Sequence, residues 1–246
     1  MAGAVPTASS TKETTNYARL CRLLVDVGTQ ALRDTFNAIH PPANLHTILA
    51  GNKALLQLLR ARRIINPTQW GKLFPAIPSS VSSASFDITL LLVLLRNICS
   101  LAAPATGWNS LPAAADMTLE ADIARIKYFR NTVYAHAEHA SVDHATFNTY
   151  WCEIRDAVVR LGGVAYRAAV DNLETECMDP DVEEHYKELL RQWKNDEDNI
   201  KDELKEMETL IDIDIKHLTK KIDNLVTSTV ISKEKTGEEG ELYSNI

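Results

Sequence analysis

Apolar residues recur at helical spacing along most of the chain. Between Asn16 and Ile39, the positions Tyr17, Leu20, Leu24, Ala31, Leu32, Phe36 and Ile39 fall near one face, which predicts an amphipathic helix. Asn16 is placed to cap it and Pro41-Pro42 to stop it. A second helix is expected from about Leu45 to Arg62, with Leu49, Leu55, Leu56 and Leu59 inward. Pro67, Pro75, Pro78 and a serine cluster make 64–85 irregular, apart from a short helix opened by Asn66. A third main helix covers about Ser85–Ala102, and a second irregular stretch, 104–117, holds Trp108 and Pro112. The fourth starts at a Thr118 cap and runs toward His136. The fifth runs from Asp143 to the Gly162-Gly163 stop, and a sixth covers Tyr166–Glu176. No stretch alternates apolar and polar residues long enough for a sheet, so the fold class is all-α: a helical bundle.

From Pro180 the pattern changes. Tyr186, Leu189, Trp193, Ile200, Leu204, Met207, Ile211, Ile215, Leu218, Ile222 and Leu225 recur at intervals of three and four, separated by Lys and Glu. This is a coiled-coil-like seam, imperfect at Asp196-Glu197 and in the 207–211–215 register; a helix folded back on the domain is the alternative. The expected organisation is a disordered tail over 1–15, a helical domain over 16–178, a long amphipathic helix over 179–226 and a disordered tail over 227–246. The apolar seam points to a homodimer, with the C-terminal helix open to other protein partners.

Charge sharpens this division. The 246 residues carry a net −7. Pro180–Val226 holds 14 acidic and 8 basic side chains, a net −6, so the remainder is near −1. A dedicated duplex-DNA binder usually has a strongly basic balance. The four cysteines contain no C-x-x-C pair, which excludes a RING or zinc ribbon within this sequence and reads as free thiols in a reducing compartment. Met1–Thr15 has neither the basic nor the apolar region of a signal peptide. The longest apolar run, Ile88–Leu95, is too short to span a bilayer. A cytoplasmic protein with no membrane contact is expected.

The chemistry-bearing segment is Tyr128-Phe129-Arg130-Asn131-Thr132-Val133-Tyr134-Ala135-His136. A guanidinium can fork onto two phosphate oxygens, an imidazole can move a proton to or from a ribose oxygen, and an amide can orient either. Arg130, Asn131 and His136 are therefore candidate catalytic residues for metal-independent cleavage of single-stranded RNA. Spacing alone is weak: with seven histidines, about one such match arises by chance, and Arg33 to His40 is a second. On an ideal helix Arg130 and His136 lie about 240° apart, so a bend or a second copy must bring them together. The other reading is a polar network that braces the fold. Lys53, Arg60, Arg62, Arg63 and Lys72 form a local basic patch, either a solvated helix end or a phosphate-contacting surface. His136, His139 and His144 with Glu138 lack the H-E-x-x-H spacing; no metal and no cofactor are expected. Trp70 and Trp108, in the irregular stretches, read as covers for the core rather than as base-stacking platforms.

Arg130, Asn131 and His136, with five residues between the Arg and the His, resemble the motif of the HEPN superfamily. More narrowly, the sequence is similar to the HEPN domain of DAZ-interacting, RNA-binding RING ubiquitin ligases and related animal proteins. The resemblance runs from about Asn16 to Met207. Its carriers are Ile64-Ile65-Asn66-Pro67-Thr68-Gln69-Trp70-Gly71-Lys72-Leu73-Phe74, the helix Phe86–Cys99, Arg125–His139 and Asp179-Pro180. It implies an all-helical fold, frequent dimerisation and either RNA binding or cleavage. Many relatives are instead interaction modules joined to RING, death, NTPase or repeat domains, in settings that look like innate immunity. The alternative function is thus a non-catalytic oligomerisation or adaptor module in innate-immune or ubiquitin signalling.

Overall fold

In the computed structural model, residues 11–135, 139–176, 178–179, 181–186, 188–189, 215–216 and 218–222 are described. All their regular elements are helical, with no strand among them. The chain divides into two compact units, Met1–Glu197 and Asp198–Ile246.

The first unit opens with a continuous helical rod: α1 (Lys12–Arg22), a π-helical segment (Leu23–Gly28) and α2 (Thr29–Ile39). The rod begins four residues earlier than Asn16, because Thr11 caps it. Thr11 Oγ1 accepts from the Thr14 backbone N–H at 3.3 Å, and Thr14 Oγ1 accepts from the Thr11 N–H at 2.9 Å. This reciprocal box satisfies two donors that a helix start leaves bare. The expected disordered tail therefore does not include 11–15, while residues 1–10 lie outside the described residues. Asn16 instead sits inside α1, and its Nδ2 donates to the Val142 carbonyl at 3.2 Å.

The expected second helix is two pieces, α3 (Leu45–Gly51) and α4 (Lys53–Ala61), broken at Asn52. α5 (Pro67–Leu73) is opened by Asn66, whose side chain accepts from Gln69 N–H while Gln69 reaches back to Asn66. α6 (Ile88–Ile98) starts one cap later than expected, at Asp87, which accepts from Leu90 N–H at 2.8 Å. α7 (Leu119–Ala135) follows the Thr118 side chain, which accepts from Ala121 N–H at 3.3 Å. α8 (His144–Gly162) starts at Asp143 and stops at Gly163, whose φ of 83° favours glycine. α9 (Ala165–Thr175) completes the bundle.

The core follows from these faces. Tyr17, Leu20, Leu24, Leu32 and Phe36 of the rod meet the nearly all-buried α6, with Ile126 and Val133 of α7 and Trp151 and Ile154 of α8. Burial of one such side chain as large as Phe36 contributes about 1.5–3 kcal/mol. α7 and α8 form the most extensive helix pair. Their contact also buries charge. Asp122 Oδ1 accepts from Arg125 Nη1 at 2.9 Å and Arg160 Nη2 at 2.6 Å, and its Oδ2 accepts from Arg160 Nε at 2.8 Å. Arg125 Nη2 donates to the Ala113 carbonyl at 2.6 Å, tying the preceding loop to the pair.

Residues 181–186 are helical and belong to the first unit: Glu183 is buried, and the Tyr186 hydroxyl donates to Asp26 in the π segment at 2.6 Å. In the second unit, 215–216 and 218–222 are helical, with Ile215, Leu218 and Ile222 exposed. Most of the expected seam, including Ile200, Leu204, Met207, Ile211 and Leu225, lies outside the described residues, as does 227–246. No described helix is long and apolar enough to cross a membrane.

Candidate functional site

The candidate motif sits on the last turns of α7. Consecutive residues on a helix point about 100° apart, and here that rotation separates Arg130 from Asn131. Arg130 is 5% exposed, and its guanidinium lies 4.8 Å from the centroid of the Tyr134 ring one turn later. This is a cation–π contact, with Phe129 and Val133 buried on the same side of the helix. Asn131 is exposed. His136 lies outside the described residues, together with Ala137 and Glu138. The structure thus describes two of the three motif residues and places them in different surroundings.

The loop beyond the motif is anchored from the far end of the sequence. Val142 N–H donates to the Glu13 carbonyl at 3.0 Å, and the Val142 carbonyl accepts from Asn16. His139 is exposed. Among the described residues, no group of three or more His, Cys, Asp or Glu side chains is placed to hold a metal.

Asn131 opens onto a cleft of about 350 Å³, lined also by Trp108, Asn109, Lys127, Tyr128, Thr132 and Ala135. That is at the lower end of small-molecule sites, about 300–1,000 Å³. Lys127 Nζ donates to the Trp108 carbonyl at 3.3 Å and to Asn109 Oδ1 at 2.5 Å, pinning the 104–117 loop over α7. On α6, the Arg96 guanidinium stands 5.6 Å from the Trp108 ring centroid. Burial lowers the pKa of Arg96. The sequence reading did not single out Lys127, took Trp108 as a cover for the core and gave Tyr128, at the start of the segment, no role. The available signal was spacing, since Lys127, Asn131 and Ala135 recur every four residues and share a helix face.

The second match to the motif has structural roles. Arg33 Nε donates to Ser83 O at 2.9 Å and Nη2 to Phe86 O at 3.0 Å, bracing the loop before α6. His40 Nε2 donates to the Ile98 carbonyl at 3.1 Å, with its ring edge-on to Phe36.

The basic patch spans α4 and α5. The Arg60 guanidinium lies 4.8 Å from the Trp70 ring centroid and the Lys53 ammonium 5.5 Å from Phe74. The two rings pack at 4.4 Å, so the cations bracket an aromatic pair. Lys72 pairs with Asp87 at 3.6 Å. Arg62 and Arg63 are exposed on the turn after α4, where Arg63 takes a left-handed φ of 57°. Trp70 and Trp108 both cover the core.

An all-helical unit carrying Arg-Asn late in a long helix, after an Asn-Pro-Thr-Gln-Trp-Gly helix, has the features by which the sequence resembles HEPN domains. Residues 42–186 match the family described as DZIP3/hRUL138-like HEPN, and the chain belongs to that family. It is 28% identical over 149 residues to the human E3 ubiquitin-protein ligase DZIP3, covering 59% of this chain and 12% of that protein. The mouse E3 ubiquitin-protein ligase DZIP3 is 27% identical over the same length and shares. The aligned stretch is thus a small part of the relatives' length. No solved structure matches the chain.

Proposed function

We propose that this chain is a HEPN-type module that binds single-stranded RNA and, as a single protomer, does not cut it. The observation carrying this reading is the split in the motif: Asn131 is exposed beside an aromatic cleft, whereas Arg130 is 5% exposed under Tyr134. A guanidinium held there cannot reach a scissile phosphate without leaving its ring. Cleavage through Arg130, Asn131 and His136 therefore needs a rearrangement or a second protomer. Exposed Lys53, Arg60, Arg62 and Arg63, with the half-buried Lys72, supply a second surface able to attract phosphates. The free thiols of Cys21, Cys99 and Cys152 accord with a reducing, cytoplasmic setting.

The test is an assay of the purified chain with labelled single-stranded RNA in EDTA. Binding that weakens steeply with salt, with the RNA left intact, is the expected result. Metal-independent cutting that His136→Ala abolishes would replace it with the catalytic reading. Absence of binding would leave the second reading, a homodimeric adaptor in ubiquitin or innate-immune signalling. Buried Arg130 favours that reading, as do the relatives' names as ubiquitin ligases and the exposed row Ile215, Leu218 and Ile222. Light scattering that shows a strict monomer at tens of micromolar (about the range of weak coiled-coil pairing) would remove the dimer from both readings.

A further inference from the structure

We propose that the exposed surface of α4 and the turn after it is a docking site for an acidic, leucine-containing segment of another protein, whether or not the chain binds RNA. Charge complementarity is the first support. Residues 35–86 contain five Lys or Arg and no Asp or Glu, in a chain of net charge −7. Among the described residues no carboxylate pairs with Lys53, Arg60 or Arg62, whereas Lys72 is taken by Asp87. A carboxylate arriving here meets no like charge from these elements, and a guanidinium can fork onto its two oxygens. The second support is apolar. Leu58 is 47% exposed and Ile64 37%. On α4, Lys53 and Arg60 point within about 20° of each other, and Leu58 stands about 140° round from Lys53. Exposed, uncharged Ala54, Gln57 and Ala61 fill the arc between them, and Arg62 follows at the helix end. An uncharged strip bordered by cations has the layout of a protein contact, with an apolar centre and a polar rim.

The surface is held in shape before any ligand arrives. The Arg63 N–H donates to the Arg60 carbonyl and the Ile64 N–H to the Leu59 carbonyl, both at 2.9 Å, which folds the turn back on the end of α4. Arg62 and Ile64 are therefore presented by a fixed backbone, and that lowers the ordering cost of binding. Features of the patch favour polypeptide over nucleic acid. Arg60 and Lys53 sit over the Trp70 and Phe74 rings, which also pack on each other. Rings engaged in this way are not open platforms for a base, the contact on which single-strand binding relies. The cations attract any polyanion at long range. Exposed aliphatic side chains add contact only with a ligand that brings apolar groups of its own. A segment with Asp or Glu on either side of its leucines supplies both.

The experiment uses the full chain and a fluorescein-labelled synthetic helical peptide with leucines along one face and glutamates on both sides of it, read by anisotropy at low salt. Arg60→Ala combined with Arg62→Ala should weaken binding by about tenfold, the scale of a lost charge-assisted contact. Leu58→Gln should weaken it by about fivefold, the scale of one partly buried aliphatic side chain, and should leave binding of a labelled single-stranded RNA unchanged. A peptide with Gln in place of every Glu should bind about tenfold more weakly than the acidic one. Arg167→Ala, which removes an exposed cation on α9, should bind as the wild type does. If the double arginine variant fails to fold, Leu58→Gln and Arg62→Ala carry the test, because both side chains are exposed. Wild-type peptide affinity in Leu58→Gln, or equal affinity for the Gln peptide, would overturn the docking site. So would a wild type that does not bind the acidic peptide, whatever it does with RNA. A wild type that binds the peptide and no RNA would overturn the RNA reading alone.

Discussion

At the α7–α8 contact Arg125 is 1% exposed and shares Asp122 with Arg160, while on the α4–α5 flank Arg60 lies open to water over the Trp70 ring. The side chains are chemically the same, but their surroundings assign them different work. A buried guanidinium has lost its hydration and depends on the carboxylate beside it, so the pair acts as one structural piece. An exposed guanidinium keeps its water and gains little from its ring, so it remains available to a ligand. Arg130 belongs with the buried group although it sits in the motif, and Asn131, its neighbour, belongs with the exposed one.

The sharpest way to break this comparison is Asp122→Ala. It leaves Arg125 and Arg160 without their shared carboxylate, and the expected loss is about 3–5 kcal/mol. Urea unfolding should show the midpoint falling with the slope unchanged. A loss below about 1 kcal/mol, the level of a surface pair, would put the network in the same class as the α4–α5 flank.

A half-exposed link lies between the extremes. The Tyr186 hydroxyl donates to Asp26, and burial, followed by that bond, pushes its pKa up to about 12. A raised folded-state pKa means the link is fully present below the ordinary phenol value, near 10, and is lost as pH rises through about 12. Stability should therefore fall across that window, and Tyr186→Phe should flatten the fall. An identical alkaline profile in the variant would remove Tyr186 from the account.

The smallest effect belongs to the flank. Arg60→Ala should cost only about 0.5–1 kcal/mol, the value of an exposed cation–π contact. If denaturation instead shows a loss matching Asp122→Ala, the Arg60–Trp70 contact is part of the core and the patch is not a free surface.

Much of the bundle was legible because its signals are local. Asn66 with Gln69, Asp143 before α8 and Gly163 after it each act within four residues, and each stands where capping chemistry places it. The misreadings arose where two local candidates competed. Asn16 and Thr11 can both cap a helix; Thr11 won because Thr14 answers it, and Asn16 was taken by Val142, a partner 126 residues away. The break at Asn52 interrupts a pattern whose apolar period continues through it.

Sequence by itself determined the helices, the arginine-asparagine pair late in α7 and the concentration of acidic charge after Pro180, since periodicity, capping and charge are properties of neighbouring residues. Only the tertiary structure decided that Arg130 turns inward and Asn131 outward. A helical period states that the two differ by about 100°, but which side meets the core depends on how α7 packs on α8 and the rod. It also decided that Asp122 gathers Arg125 and Arg160, that Lys127 fastens a loop to α7, and that Trp108 borders the Asn131 cleft. The Lys127–Asn109 and Asp122–Arg160 contacts join residues 18 and 38 positions apart, and folding, not spacing, brings them within hydrogen-bond reach.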